Sequence, residues 1–153
     1  MKISQLMTPD PVTATPDLNL AAAAALMLSA DCGILPVVKN GRLSGVVTDR
    51  DLFIALGTRD QKPSALAVGD VMSSALYTCS PEDDVDAVLE LMREYSIRRV
   101  PVAGFGNTVL GIVSMNDIVL AVGDKKGVRG PAVVDTLRSI CAHHHPAPRI
   151  AAA

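Results

Sequence analysis

Apolar positions along the chain fall into two blocks that run through the same order. Residues 18–30 are almost continuously apolar and rich in alanine. In the matching place of the second block, Val85, Val88, Leu89 and Met92 recur at helical spacing with acids between them. Helices are predicted at about 18–30 and 83–95. Each is preceded by hydroxyl, proline and acid: Thr15-Pro16-Asp17 and Ser80-Pro81-Glu82. A capping side chain, proline at the first helical position and negative charge at the positive end of the dipole predict a helix start there, with a short strand just before it. Two short aliphatic runs follow each helix, at 34–38 and 43–47 and then at 99–103 and 109–113. Asn40-Gly41 and residues 104–107 separate them, which predicts two hairpins. A second helix follows each hairpin, at about 49–56 and 115–122. The predicted unit is β-α-β-β-α, written twice.

The two blocks align residue by residue. A shift of 65 places Met7 on Met72, Thr13 on Thr78, Pro16 on Pro81, Met27 on Met92 and Pro36 on Pro101. One extra residue within 105–110 moves the shift to 66, and Gly45 then meets Gly111, Thr48 meets Ser114 and Asp51 meets Asp117. Matches spread over most of each half indicate duplication. The expected division is residues 1–61, residues 62–123, and residues 124–153 as a linker, a C-terminal helix and a tail. One unit is too small to bury its own sheet face, so two packed face to face are expected.

Composition narrows the partners. The 153 residues are 49% hydrophobic with no Trp, two Phe and two Tyr, so the core is aliphatic and platforms for stacking single-stranded nucleic acid are scarce. A net charge of −2 and scattered basic residues give neither a nucleic-acid nor a membrane footprint. Cys32, Cys79 and Cys141 form no CxxC pair, and a reducing cytoplasm is the expected compartment. Residues 20–30 imitate a signal-peptide apolar region. They are too short to span a bilayer, have only Lys2 as basic flank, and are better explained as a tightly packed core helix.

The duplicated phrase GVVTDRDL (residues 45–52) and GIVSMNDI (residues 111–118) carries the candidate chemistry. Thr48-x-x-Asp51 and Ser114-x-x-Asp117 fit a capping box, which only starts a helix. The same geometry suits a nucleotide. Free N–H groups at a helix start and a hydroxyl favour phosphate, while an acid one turn along accepts from ribose hydroxyls. Gly45 and Gly111 lie before any helix, and they allow close approach by a ligand or a neighbouring strand.

The order LPVV…GVVTDRDL, then RRVPVAG…GIVSMNDI, resembles a tandem pair of CBS domains (a Bateman module), over about residues 3–122. The resemblance implies an α/β, sandwich-like fold of two repeats related by a pseudo-twofold axis, with a short C-terminal helix added. It also implies dimerisation and adenosyl ligands in clefts between the repeats: AMP, ADP or ATP foremost, with NAD and S-adenosylmethionine as the related candidates. Mg²⁺ enters only with a polyphosphate ligand. Thr48, Asp51, Ser114 and Asp117 match the family's phosphate and ribose contacts, and Thr13 and Thr78 match positions near the adenine. Leu35 and Val100 match positions that lend backbone groups and an apolar wall to the base. Arg98 and Arg99 offer planar donor forks for phosphate. The first copy has Gly33 and Ile34 there, so arginines are expected beside only the second phrase. Arg50 is a further phosphate candidate, with Asn116 in its matching slot.

Other readings stay open. A purely structural dimerisation or adaptor module with vestigial clefts needs no ligand. For an enzyme, neither Asp49-x-Asp51 nor the cluster Asp83, Asp84 and Asp86 assembles a nucleophile, base and orienting group. Val133, Val134, Leu137, Ile140 and Cys141 predict a C-terminal helix that packs on the module or on a second subunit. The His143-His144-His145 tract sits in a tail expected to be disordered, and Lys125, Lys126 and Arg129 are spare candidates for phosphate. A regulated partner protein is expected, and no motif names it.

Overall fold

The computed structural model describes residues 1–123 and 127–142. Lys125, Lys126 and the histidine tract lie outside the described residues. In chain order the elements are β1 (Thr8–Pro9), α1 (Leu20–Ser29), β2 (Ile34–Lys39), β3 (Arg42–Thr48), α2 (Asp49–Thr58), α3 (Val85–Tyr95), β4 (Arg99–Ala103), β5 (Val109–Ser114), α4 (Met115–Leu120) and α5 (Gly130–Cys141). This is a mixed α/β fold with antiparallel sheets, one ordered β1-β5-β4 and the other a β2-β3 pair.

Both predicted hairpins form, for reasons visible in their turns. Asn40 and Gly41 have φ of 52° and 75°, the left-handed pair that a two-residue turn needs to match strand twist. The longer second turn bends at Gly106 and Asn107, with φ of 69° and 64°. Pro36 and Pro101 sit opposite Val46 and Ile112 in their hairpins.

The strand expected before each first helix is reduced to a single parallel bridge, Ala14 to Val37 and Cys79 to Val102. Each first helix also begins later than expected. Thr15-Pro16-Asp17 makes a turn closed by Leu18 N–H to the Thr15 carbonyl (3.1 Å), and α1 starts at Leu20, capped by Asn19 Oδ1 on Ala22 N–H at 2.9 Å. The reason is tertiary. The Pro16 and Leu18 carbonyls accept from Gly69 and Val68 N–H, both at 2.8 Å, which holds the segment out of a helix. In the second unit Pro81 and Asp83 carbonyls likewise accept from Ser4 and Ile3 N–H, at 2.9 and 3.0 Å.

Those bonds reveal an exchange. Residues 1–9 do not pack on the unit they precede: β1 pairs with β5, Thr8 opposite Ile112, and Ile3 is fully buried in the second core beside Val85 and Met92. Residues 66–73 return the favour. Leu66 and Val68 complete the first core with Leu20 and Val37, and Ser73 exchanges two backbone bonds with Val46 at 2.9 and 3.0 Å. Each unit is therefore closed by the arm that leads into the other.

α1 is less enclosed than its composition suggests. Leu20, Ala23 and Met27 are buried, whereas Ala21, Ala24, Ala25 and Leu28 lie on an exposed apolar face. α5 packs on the module itself, against α3 and α4. Its inward stripe is Val133, Thr136, Leu137 and Ile140; Val134 and Cys141, expected there, are exposed. At 100° per residue the stripe selects 133, 136, 137 and 140. Thr136 can join it because its hydroxyl donates to the Leu89 carbonyl at 3.4 Å.

Candidate functional site

Both copies of the phrase end a strand and begin a helix, and both capping boxes are closed. Thr48 Oγ1 accepts the Asp51 N–H at 3.2 Å, while Asp51 Oδ2 accepts from Thr48 N–H and Oγ1 at 2.8 and 2.7 Å. Ser114 and Asp117 repeat this at 3.3, 2.7 and 2.7 Å. Oδ1 of each acid accepts no hydrogen bond among the described residues.

The exchanged arms explain the glycines. A Cβ at Gly45 would lie 2.7 Å from the Ser73 carbonyl oxygen, and one at Gly111 2.9 Å from the Thr8 carbonyl oxygen and 2.7 Å from Met7 Sδ. These are approaches no real Cβ makes. Of the two uses open to glycine here, the neighbouring strand is the one realised.

Each phrase opens onto a cleft whose walls come from both units. Thr48, Asp51 and Arg50 line a cleft of 300 Å³ with Ser73, Ala75, Tyr77 and Arg98. Ser114, Asp117 and Asn116 line a cleft of 360 Å³ with Thr8, Asp10, Val12, Asp31 and Gly33. Ile34 and Arg99, which match each other under the 65-residue shift, border both clefts.

This placement corrects the expected position of the arginines. Arg98 stands beside the first phrase, and Arg99 stands between the two. The chain crossing is the cause, since each phrase faces the end of the other unit's first helix. The first cleft thus collects Arg50, Arg98 and Arg99, none in an ion pair among the described residues. Arg129 is elsewhere: its Nη2 meets Asp86 Oδ2 on α3 at 3.2 Å. Gly33 leaves room for Asp49 at the seam, where a Cβ would come within 2.7 Å of Asp49 Oδ2.

The remaining candidates are spread differently. Leu35 and Val100 are fully buried, so their side chains belong to the two cores; Ile34, Val46 and Pro101 supply the apolar wall of the first cleft. Thr13 is exposed and Thr78 half-buried, and neither borders either cleft. The acids weighed for catalysis have structural bonds. Asp49 Oδ1 accepts from Arg50 N–H, Asp83 from Ser80 N–H, and Asp84 pairs with Lys2 Nζ at 3.1 Å. Among the described residues no cluster of three acids, histidines or cysteines is placed to hold a metal. Tyr77 was not anticipated: it borders the first cleft and stacks on Tyr95 with ring centroids 3.9 Å apart. Its position opposite Val12 in the 65-residue shift is the signal that could have found it.

The family model for the CBS domain matches residues 3–58 and again residues 68–124. The chain belongs to the CBS-domain family. It carries a CBS pair and is 35% identical over 119 residues to the CBS domain-containing protein YhcV of Bacillus subtilis (strain 168), covering 77% of this chain and 83% of that one. It is also 37% identical over 122 residues to the uncharacterized protein YlbB of the same organism, over 78% of this chain and 81% of that one. Among solved structures it resembles the CBS domain pair of protein MJ0100, in complex with 5′-methylthioadenosine and S-adenosyl-L-methionine. That match has a TM-score of 0.74 and 28% identity, covering 82% of this chain and 98% of that one. No helix among the described residues is long and apolar enough to cross a membrane.

Proposed function

We propose that this CBS pair is a non-catalytic, cytoplasmic sensor that binds adenosyl ligands in its two clefts and signals through the geometry of a homodimer. The observation that carries the reading is the repeated hydroxyl–acid pair, each copy bordering a cleft walled by both repeats. A ligand there contacts the seam between the units and so biases their arrangement. It does so only by its differential affinity for the arrangements available. The adenosyl ligands of the MJ0100 pair support the ligand class. The arginine-lined cleft supports a phosphate-bearing member of it, AMP, ADP or ATP. Support for a second copy as partner comes from the apolar groove between α1 and α2, lined by Ala21, Ala24, Met27, Leu52, Phe53 and Leu56, with Phe53 77% exposed. Apolar surface of that kind marks association.

The test is a thermal-shift and calorimetry panel of AMP, ADP, ATP, NAD and S-adenosylmethionine, with sedimentation to read the assembly. At least one compound raises the melting temperature by mass action, and the nucleotide is recovered unchanged. If none stabilises the fold, the sensor reading fails and the structural adaptor stands. A monomer at all concentrations removes the dimer from the reading.

A further inference from the structure

The two clefts occupy equivalent places in the duplication, so differences between them are differences in what each can hold. Passing from the first to the second, Arg50 becomes Asn116, Arg98 becomes Gly33 and Ala75 becomes Asp10. The first cleft sets three guanidiniums against the carboxylates of Asp49 and Asp51. The second sets Arg99 alone against Asp10, Asp31 and Asp117. Charges of one sign lining a cleft add their fields there, so a phosphate is drawn to the first and repelled from the second.

Local geometry acts the same way. α2 runs ten residues from the first cleft, whereas α4 is a six-residue turn and a half. Two acids of the second cleft share an unusual backbone conformation. Asp10 and Asp31 have φ of 46° and 48°, a left-handed conformation that Asp and Asn tolerate better than other side chains. The Asp10 N–H donates to the Leu110 carbonyl at 3.2 Å, which ties its backbone to the residue beside β5's Gly111.

We propose that the clefts divide the adenosyl class between them. The Thr48–Asp51 cleft takes an adenosyl phosphate, with Arg50, Arg98 and Arg99 on the phosphate. The Ser114–Asp117 cleft takes an adenosyl compound with no phosphate and a cationic 5′ substituent, which Asp10 and Asp31 attract. This rests on the adenosyl-binding reading above and goes further by giving each cleft a different ligand, so that one chain reports on two compounds at once.

The experiment is calorimetric titration of the full chain with AMP, then with S-adenosylmethionine into AMP-saturated protein. AMP fills one site per chain, and S-adenosylmethionine then fills a second with its affinity unchanged. Arg98→Gly, which installs the residue of the other copy, weakens AMP about tenfold or more and leaves S-adenosylmethionine alone. That is the scale of one lost hydrogen bond between charged groups. Asp10→Asn with Asp31→Asn, which keeps the left-handed backbone tolerable, weakens S-adenosylmethionine about as much and leaves AMP alone. Melting curves confirm that both variants fold. AMP filling two equal sites, competition between the compounds, or variants that weaken the wrong ligand overturn the division of labour while adenosyl binding survives. No binding by either compound overturns the division of labour, and silence from ADP, ATP and NAD as well overturns the adenosyl reading with it.

Discussion

Asp51 has two roles to fill, and substitution separates them. Its Oδ2 accepts from Thr48 N–H and Oγ1 at 2.8 and 2.7 Å, while its own N–H donates to Thr48 Oγ1 at 3.2 Å. Asp51→Ala deletes the first two bonds and keeps the third. Loss of a capping partner costs about 1–2 kcal/mol. For a chain of this size each kcal/mol is worth roughly 2–4 °C in melting temperature. Asp51→Ala is therefore expected to melt about 2–8 °C lower. Asp51→Asn keeps a carbonyl oxygen for the Thr48 N–H and is expected to stay within about 0.5 kcal/mol of the parent, the ordinary range for a mild change. Urea denaturation gives the stability, and AMP titration of the same samples gives the affinity. If the carboxylate also holds ribose hydroxyls, both variants lose AMP affinity, although only one loses much stability. If Asp51→Ala is destabilised but both variants bind AMP like the parent, the phrase is a helix start and nothing more. If Asp51→Ala is as stable as the parent, the capping argument itself is wrong.

The other predictions concern the frame around the clefts. Gly45→Ala and Gly111→Ala force back a crossing arm and should each cost about 1–3 kcal/mol in urea denaturation. Gly57→Ala, on α2 with open space around it, should be neutral or stabilising by up to ~1 kcal/mol. Met92, fully buried in the second core, should lose about 2–5 kcal/mol on change to Ala, read the same way. Burial, with Asp83 adding to it, pushes the Cys79 thiol from 9.0 up to about 12. The folded chain then holds a proton that the unfolded chain releases, so from this group stability is level below about pH 9 and falls from there toward pH 12. Thiol labelling at pH 8 should modify Cys141 and spare Cys79 until the chain is unfolded. In a protein without Trp, the Tyr77–Tyr95 stack dominates the fluorescence, and AMP entering the first cleft should change it. Tyr77→Phe should remove most of that response; a response left intact in that variant would place AMP elsewhere.

Much of this architecture is legible locally. The two capping boxes need only a hydroxyl and an acid three residues apart, and the first hairpin needs only Asn40-Gly41. Longer-range features leave weaker marks. Nothing in Met7 or Thr8 tells whether that segment pairs with β3 or with β5, so the arm exchange, and with it the side on which Arg98 falls, was closed to sequence reasoning. Thr15-Pro16-Asp17 signals a turn as well as a helix start, and bonds from residues 66–69 decide between them. β2 is buried at four consecutive positions from Ile34 to Val37. Alternation therefore gave no phase by which to tell Ile34, on the cleft, from Leu35, in the core. Tyr77 leaves no mark in the composition; its only local mark is a ring where the repeat has Val12.

The crossing of the arms has a consequence for how the molecule is made. Thr8 and Ile112, neighbours across β1 and β5, are 104 residues apart in the chain. At a synthesis rate of roughly 5–20 residues per second, residues 1–9 leave the ribosome about 5–20 seconds before the strand they join. The first unit is in the opposite position, since its missing arm at residues 66–73 arrives promptly. The order of birth is therefore fixed. The first unit can close early, while residues 1–9 wait, Ile3 and its neighbours exposed, for β5, the last strand among the described residues, to appear. A nascent chain in that interval is the form most open to chaperones and to pairing with another copy.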